Sequence, residues 1–257
     1  MQPRDPQDIV AQLGRTTLKI DSFFLRKTAF VANQTVLKLG EFTVNCVPAS
    51  FTYPEARFLA VLAPTEINLF SKFKEGLYVM VLSFGESDGS GIKRYHLRIG
   101  VGDFVAVPER RNVCQIILKI KSAPPDFLAL LGEYLEVLEQ RHLDWETWST
   151  EEPLEATQDV LHAAGLAAPA TLVIDDQQIA ATVTRFQTKN IQLSPAPTAA
   201  DDTAAQLKVN LKGQPVAFDG RIGGGGFVPE FSHDWFDAIE HARLQRDLRA
   251  ARTRPHA

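Results

Sequence analysis

The chain has 257 residues, 45% of them apolar, with 16 glycines, 15 prolines and a formal charge of −4. That length holds one large domain or two of ordinary size, and the apolar share supports packed cores with many short strands and turns. The slightly acidic balance gives no reason to expect nucleic-acid binding, and no apolar run approaches the length that spans a bilayer.

The opening Met1-Gln-Pro-Arg-Asp-Pro6 lacks the marks of a signal peptide, so a cytoplasmic location is expected. Asp5 or Asp8 caps a short helix over Gln7–Leu13 that ends at Gly14. Thr17–Leu25 and Lys27–Val31 read as strands with an irregular break. Thr35–Leu39 is a strand, Gly40 a turn, and in Phe42–Val47 the residues Phe42, Val44 and Cys46 alternate with Thr43 and Asn45, as in a sheet with one wet face. Pro48–Pro54 reads as a loop or edge, Arg57–Leu62 as a strand, and Pro64–Phe73 as an irregular crossing. Phe51, Tyr53, Phe70 and Phe73 in these segments are expected to fill core. Leu77–Phe84 is a strand and Gly85–Gly91 an exposed hairpin tip. Ile92–Ile99 and Phe104–Val107 read as strands joined by a turn at Gly100-Val-Gly102, and Val113–Ile120 follows a second turn at Pro108–Asn112.

A helix over residues 126–143 closes this half. Asp126 suits the positive end of its dipole. Phe127, Leu130, Leu131, Tyr134, Leu135 and Leu138 recur at three and four and form its apolar face. Cys46 and Cys114, the two cysteines of the chain, lie in apolar runs and are expected as small buried thiols. Trp145 and Trp148 are expected to pack the halves together. Glu151-Glu-Pro153 marks the boundary, which divides the chain into modules 1–150 and 151–257. The first carries 17 basic and 17 acidic side chains, the second 10 and 14.

In the second half Leu154–Gly165 reads as a helix and Leu166–Ala170 as a loop. Strands are expected at Thr171–Ile174, Gln178–Phe186, Asn190–Leu193, Gln206–Leu211, Val216–Ile222 and Phe227–Phe231, with Pro195–Asp202 a loop. Ser232 and Asp234 start the last helix. Arg98-Ile-Gly-Val-Gly-Asp-Phe-Val105 is echoed by Arg221-Ile-Gly-Gly-Gly-Gly-Phe-Val228, each read as strand, glycine turn and strand. The fold expected is therefore mainly β: tandem small barrel-like modules, each followed by a C-terminal helix.

Candidate chemistry is sparse. The run Gly223–Gly226 leads into a strand instead of a helix, so a hairpin is expected there and not a phosphate loop. The six histidines show no metal-ligand spacing, no serine sits in Gly-x-Ser-x-Gly, and adjacent Asp175-Asp176 and Asp201-Asp202 point apart. No enzyme and no metal are expected. Arg94 and Arg98, four apart, share one strand face with His96. Arg110-Arg111 on a turn is a further anion-contact candidate. Arg243, Arg246, Arg249 and Arg252 sweep around the last helix, a candidate surface for a protein partner.

With these strands and the closing helix in view, Leu59–Leu143 resembles the PilZ family, six-stranded β-barrels with a C-terminal helix. Residues 17–56 resemble the additional N-terminal strands of PilZ-related modules. The resemblance implies a non-catalytic bacterial regulator or adaptor in second-messenger or motility signalling, without a cofactor, working through protein contacts. Two alternatives stand beside it: a receptor for cyclic di-GMP, and a structural component of a cell-envelope or motility machine. The family's ligand residues are Arg-x-x-x-Arg at the start of the barrel and Asp/Asn-x-Ser-x-x-Gly on a following strand. Arg94-Tyr-His-Leu-Arg98 matches the first as a string, but it lies well inside the barrel and the second pattern does not follow. In the second half Arg185 and Lys189 precede Asn190-Ile-Gln-Leu-Ser194, and neither motif is present.

Overall fold

The structure is a computed structural model that describes residues 5–74, 76–86, 91–108 and 110–253. It divides into two compact units, Met1–Val137 and Leu138–Ala257, and is mainly β, with two β-modules each trailed by a helix.

In the first unit α1 (Pro6–Leu13) starts on Asp5, whose carboxylate accepts the Gln7 amide. The strands are β1 (Leu18–Lys19), β2 (Val36–Leu39), β3 (Phe42–Asn45), β4 (Val47–Thr52), β5 (Glu55–Val61), β6 (Leu77–Gly85), β7 (Ile92–Ala106) and β8 (Val113–Ser122). Helices α2 (Ser22–Thr28) and α3 (Pro64–Phe70) interrupt them, and α4 (Pro125–Trp148) follows. The sheet order is β1-β4-β5-β8-β7-β6-β2-β3, with every pair antiparallel. Only Cys46 separates β3 at one end of that order from β4 near the other, and its amide bonds the Thr35 carbonyl at 3.3 Å. The sheet must therefore curl until its ends meet. Its inner face buries Leu37, Phe58, Met80, Leu97, Ile116 and Leu118, Phe127 of α4 packs onto it, and Tyr134 of α4 packs on Phe24 of α2.

Several local expectations are corrected. Thr17–Val31 is not two strands: Leu18–Lys19 pairs with β4, Phe30 forms a lone bridge to Phe84, and between them runs α2, capped by Asp21, whose carboxylate accepts the Phe24 amide at 2.9 Å. The β-prone run Phe23-Phe24 is buried from a helix, so tertiary packing overrode propensity. Pro48–Pro54 is not a loop but mostly β4, with Pro48 beside a register shift, where a missing amide costs little. Pro64–Phe73 is α3 plus a 3-10 turn at Ser71–Phe73, with Pro64 in the first turn and the Glu66 carboxylate accepting the Ala63 amide at 2.7 Å. Phe51 and Phe70 are core, as expected.

The largest correction concerns Gly100–Gly102. No turn forms there. β7 runs unbroken for 15 residues, pairing with β6 through Gly100 and with β8 from Arg98 onward, with register shifts at Arg98/Ile99 and Val101/Asp103. Gly102 is the extra residue of a bulge in β7, and Lys121 of β8 is that of the other shift. The echo between the halves accordingly fails as geometry, because Arg221–Val228 does form a hairpin, with Gly223 opposite Gly226.

The second unit holds β9 (Leu154–Glu155), α5 (Gln158–Ala164), β10 (Leu166–Ile174), β11 (Gln177–Gln187), β12 (Asn190–Ser194), β13 (Ala204–Leu211), β14 (Gln214–Gly223), β15 (Gly226–Pro229) and α6 (His233–Thr253). Its sheet runs β10-β13-β14-β15-β12-β11-β9, and β10 also pairs with β11, which closes six strands into a barrel. Trp235 and Phe236 of α6 are buried in it with Phe186, Phe218 and Phe227. The helix expected over Leu154–Gly165 is split: Leu154–Glu155 pairs with β11, and Thr157 caps the shorter α5. Leu166–Ala170, expected as a loop, begins β10. Trp145 and Trp148 lie within α4, where Trp145 joins the second unit's core and Trp148 stacks on Phe236 at 4.9 Å.

Both cysteines are free and buried. Burial pushes the Cys46 thiol up to about 12 and that of Cys114 upward as well. The thiolate is the reactive form, so neither should react with Ellman's reagent at pH 8 until denaturant is added. Prompt reaction of the native protein would contradict the packing of β3 and β8. A Cβ on Gly220 would meet the Val228 carbonyl at 2.3 Å, whereas Gly225, at φ +74°, has open space around it. Urea unfolding should therefore show Gly220→Ala destabilised by about 2 kcal/mol, and Gly225→Asn, suited to a left-handed backbone, nearly unchanged.

Candidate functional site

The first half of β7 presents two chemistries on its two faces. Arg94, His96 and Arg98 project outward and are exposed, beside Ser83, Val81 and Val79 of β6. Strand alternation alone puts them on one face, with Arg94 and Arg98 about 13 Å apart along the strand. Among the described residues neither arginine has an ion-pair partner. On the inner face Lys93 and Tyr95 line a cleft of about 690 Å³ with the end of α2, Phe84, Leu130, Glu133, Tyr134 and Val137. Lys93 reaches Asp126 at 2.7 Å and lies 5.0 Å from the centre of the Tyr95 ring. The Lys93 ammonium holds the Asp126 carboxyl below its usual range, and the hydrogen bond to Asp126 raises the lysine in turn. Both groups are solvent-accessible, so this pair steers more than it stabilises.

Arg110 and Arg111 do not join this group. They sit exposed on the turn between β7 and β8, at the far end of a strand whose Arg98 and Ala106 are roughly 26 Å apart. The four arginines named from the sequence thus form two separate sites, not one rim. On α6, Arg243 donates to Glu151 and lies 4.7 Å from the Trp148 ring centre. Arg249 bonds Asp159 at 2.6 Å and Arg246 bonds Asp247 at 2.9 Å. These arginines are engaged with the chain's own carboxylates. The side chain of Arg252 lies outside the described residues.

The cations flanking the barrel of the second unit are similarly engaged. Arg185 meets Glu155 at 2.6 Å, Arg221 meets Asp202 at 3.1 Å, and Lys189 donates to Glu146. One cation that sequence reading missed is structural: Arg141 donates to Asp237 at 2.6 Å and to the His233 carbonyl at 3.1 Å, over the Phe236 ring. Its partner lies 96 positions away, so nothing local marks it. The inner cleft was missed for a related reason, since its lining comes from four separated segments. Among the described residues no cluster of His, Cys, Asp and Glu is arranged to hold a metal, and no helix is long and apolar enough to cross a membrane.

No family model matches the chain, and no curated protein does. Solved structures do. The PlzA protein of Borreliella burgdorferi in complex with c-di-GMP aligns with a TM-score of 0.50 at 12% identity, over 92% of this chain and 97% of its own. MrkH of K. pneumonia in its apo state aligns at 0.31 with 10% identity, covering 97% and 95%. YcgR of Escherichia coli in complex with c-di-GMP aligns at 0.27 with 11% identity, covering 98% and 96%. The likeness to PlzA is one of fold alone, a chain built of two β-rich modules.

Removing Arg141 takes its 2.6 Å ion pair from Asp237, a carboxylate whose side chain is only 15% exposed, so Arg141→Ala should cost about 3 kcal/mol. Arg94→Ala and Arg98→Ala, on an exposed face, should stay within about 0.5 kcal/mol of the parent in urea titrations.

Proposed function

We propose that this chain is a non-catalytic PilZ-like regulator in second-messenger or motility signalling that acts through contact with a protein partner. The single observation that carries the reading is the state of its cations. In the second unit Arg185, Lys189 and Arg221 are each engaged by a carboxylate of the same chain. A dinucleotide's phosphates would have to displace those pairs before using the guanidiniums. The small polar pattern that accompanies the family's arginines is absent from the sequence, and nothing in the site geometry resembles a nucleophile with its base.

A second reading has one observation in its favour. Arg94 and Arg98 share an exposed face and have no carboxylate partner among the described residues, so they are available to an anion. On that reading the chain receives cyclic di-GMP through a site on β7, as a protein of the same fold is seen in complex with c-di-GMP.

Calorimetric titration with cyclic di-GMP, with GTP and cyclic di-AMP as controls, separates the two. The adaptor reading expects no saturable heat and no thermal shift. Saturable binding at micromolar concentration or tighter would replace it with the receptor reading, and Arg94→Ala and Arg98→Ala would then abolish the heat if β7 is the site.

A further inference from the structure

We propose that the stretch of β7 from Ile92 to Leu97 is an open sheet edge that captures an extended segment of a partner protein, one that alternates acidic and apolar residues. The proposal deepens the adaptor reading and rests on it for the existence of a protein partner.

The edge follows from the register. β6 pairs with β7 along its whole first half, but β8 ends at Ser122, opposite Arg98, and α4 begins at Pro125. Among the described residues no strand lies on the second side of Ile92–Leu97. The backbone groups on that side can be identified. The Ser83 carbonyl accepts the Val31 amide at 2.8 Å, and the Gly85 amide donates to the Ala29 carbonyl at 2.7 Å. Ser83 and Gly85 therefore turn their backbone groups away from β7. Their antiparallel partners Arg94 and Ile92 must turn theirs away from β6, and alternation adds His96. Six main-chain donors and acceptors point off an edge about 20 Å long.

The other half of β7 shows how this chain treats such an edge elsewhere. Beyond Gly100 that half loses β6 and is flanked instead by the segment after α3, with Lys74 bonding Asp103 at 2.7 Å and Phe70 packing on Phe104. Ile92–Leu97 is touched on its inner face by the start of α4, where Asp126 bonds Lys93 at 2.7 Å and Phe127 packs on Tyr95, but among the described residues no strand takes up its ladder groups. Proteins usually blunt exposed edges because identical copies add to them. Here the cations do that work. A second copy laid antiparallel about His96 would bring Arg94 against Arg98 of the other copy, whereas a strand carrying carboxylates would be drawn in.

Side-chain placement completes the description of the partner. Residues of an added strand that lie beside Arg94 and His96 fall on the cationic outer face, which selects Asp or Glu. Those beside Lys93 and Tyr95 fall on the inner face, where the Tyr95 ring packs against Phe127, which selects apolar side chains. This is recognition by strand addition, in which main-chain bonds supply affinity and alternate side chains supply specificity.

The test uses the full chain and a fluorescein-labelled octapeptide of alternating Asp/Glu and Val/Ile. Its controls are a peptide of the same composition in two blocks, acidic then apolar, and the alternating peptide N-methylated at every second amide. Fluorescence anisotropy should show saturable binding of the alternating peptide, weakened about tenfold or more by block order, by N-methylation and by Arg94→Glu/Arg98→Glu. Near-UV circular dichroism checks that the double variant keeps its fold. Hydrogen exchange should find the Ile92, Arg94 and His96 amides fast in the free protein and slowed by the peptide. Slow exchange in the free protein, absence of binding, or equal binding by the N-methylated peptide or the double variant would each overturn the proposal. Those outcomes concern the edge alone, while the adaptor reading stands or falls on the cyclic di-GMP titration.

Discussion

Each half of the molecule depends on an aromatic side chain that a helix inserts into a curled sheet. In the first unit that residue is Phe127, whose ring meets Phe51 of β4, Phe84 of β6 and Tyr95 of β7. β4 and β6 are not neighbours in the sheet order, so one ring ties together strands that the hydrogen-bond ladder keeps apart. In the second unit Trp235 does the same between Phe186 of β11 and Phe218 of β14. Burying a ring of this size contributes about 2–3 kcal/mol by area alone, and edge-to-face contacts add to it. Without such a plug a small barrel has an exposed mouth and too little core to repay the ordering of its strands.

This constraint explains which parts of the fold were legible in the sequence. α4 and α6 carry their aromatic anchors in the first turns at helical spacing, and both read as helices. The strands β2, β3, β5, β6 and β8 alternate cleanly or run apolar, and they too were readable. α2 was not: Phe23-Phe24 looks like strand, and what makes it helical is the capping bond from Asp21 together with the ring of Tyr134 against Phe24. β4 was hidden because Pro48 and Pro54 argue for a loop unless the bulge beside Pro48 is known. The continuity of β7 was hidden because glycine pairs signal turns and bulges alike. Only the positions of β6 and β8 decide between them.

Site legibility failed differently. Sequence reading found cations and could not see carboxylates. Arg243 and Arg249 looked available to a partner, yet Glu151 and Asp159, each about 90 positions away, hold them. Arg141 drew no attention and proves to be the most buried of the paired guanidiniums. Charge in a folded chain is informative only after such pairs are subtracted, because a neutralised guanidinium offers a phosphate little net field. Of the arginines singled out in the sequence, subtraction among the described residues leaves Arg94 and Arg98 on β7 and Arg110 and Arg111 at its far turn.

The length of β7 beyond each of its neighbours is the feature that sets it apart. A straight strand between β6 and β8 would share its full length with both. Instead β6 reaches β7 only as far as Leu77, opposite Gly100, and β8 only as far as Ser122, opposite Arg98, so that the two neighbours overlap on β7 for only Arg98–Gly100. Stagger of this kind is what allows a short sheet to curl closed, and it necessarily leaves each half of the strand with one bare side. The chain fills one of them with the segment after α3. Along the other it places Arg94, His96 and Arg98 on the outer face and the packed rings of Tyr95 and Phe127 on the inner one. Barrel closure thus created an unpaired edge, and its surrounding side chains admit acidic strands while excluding the chain's own copies.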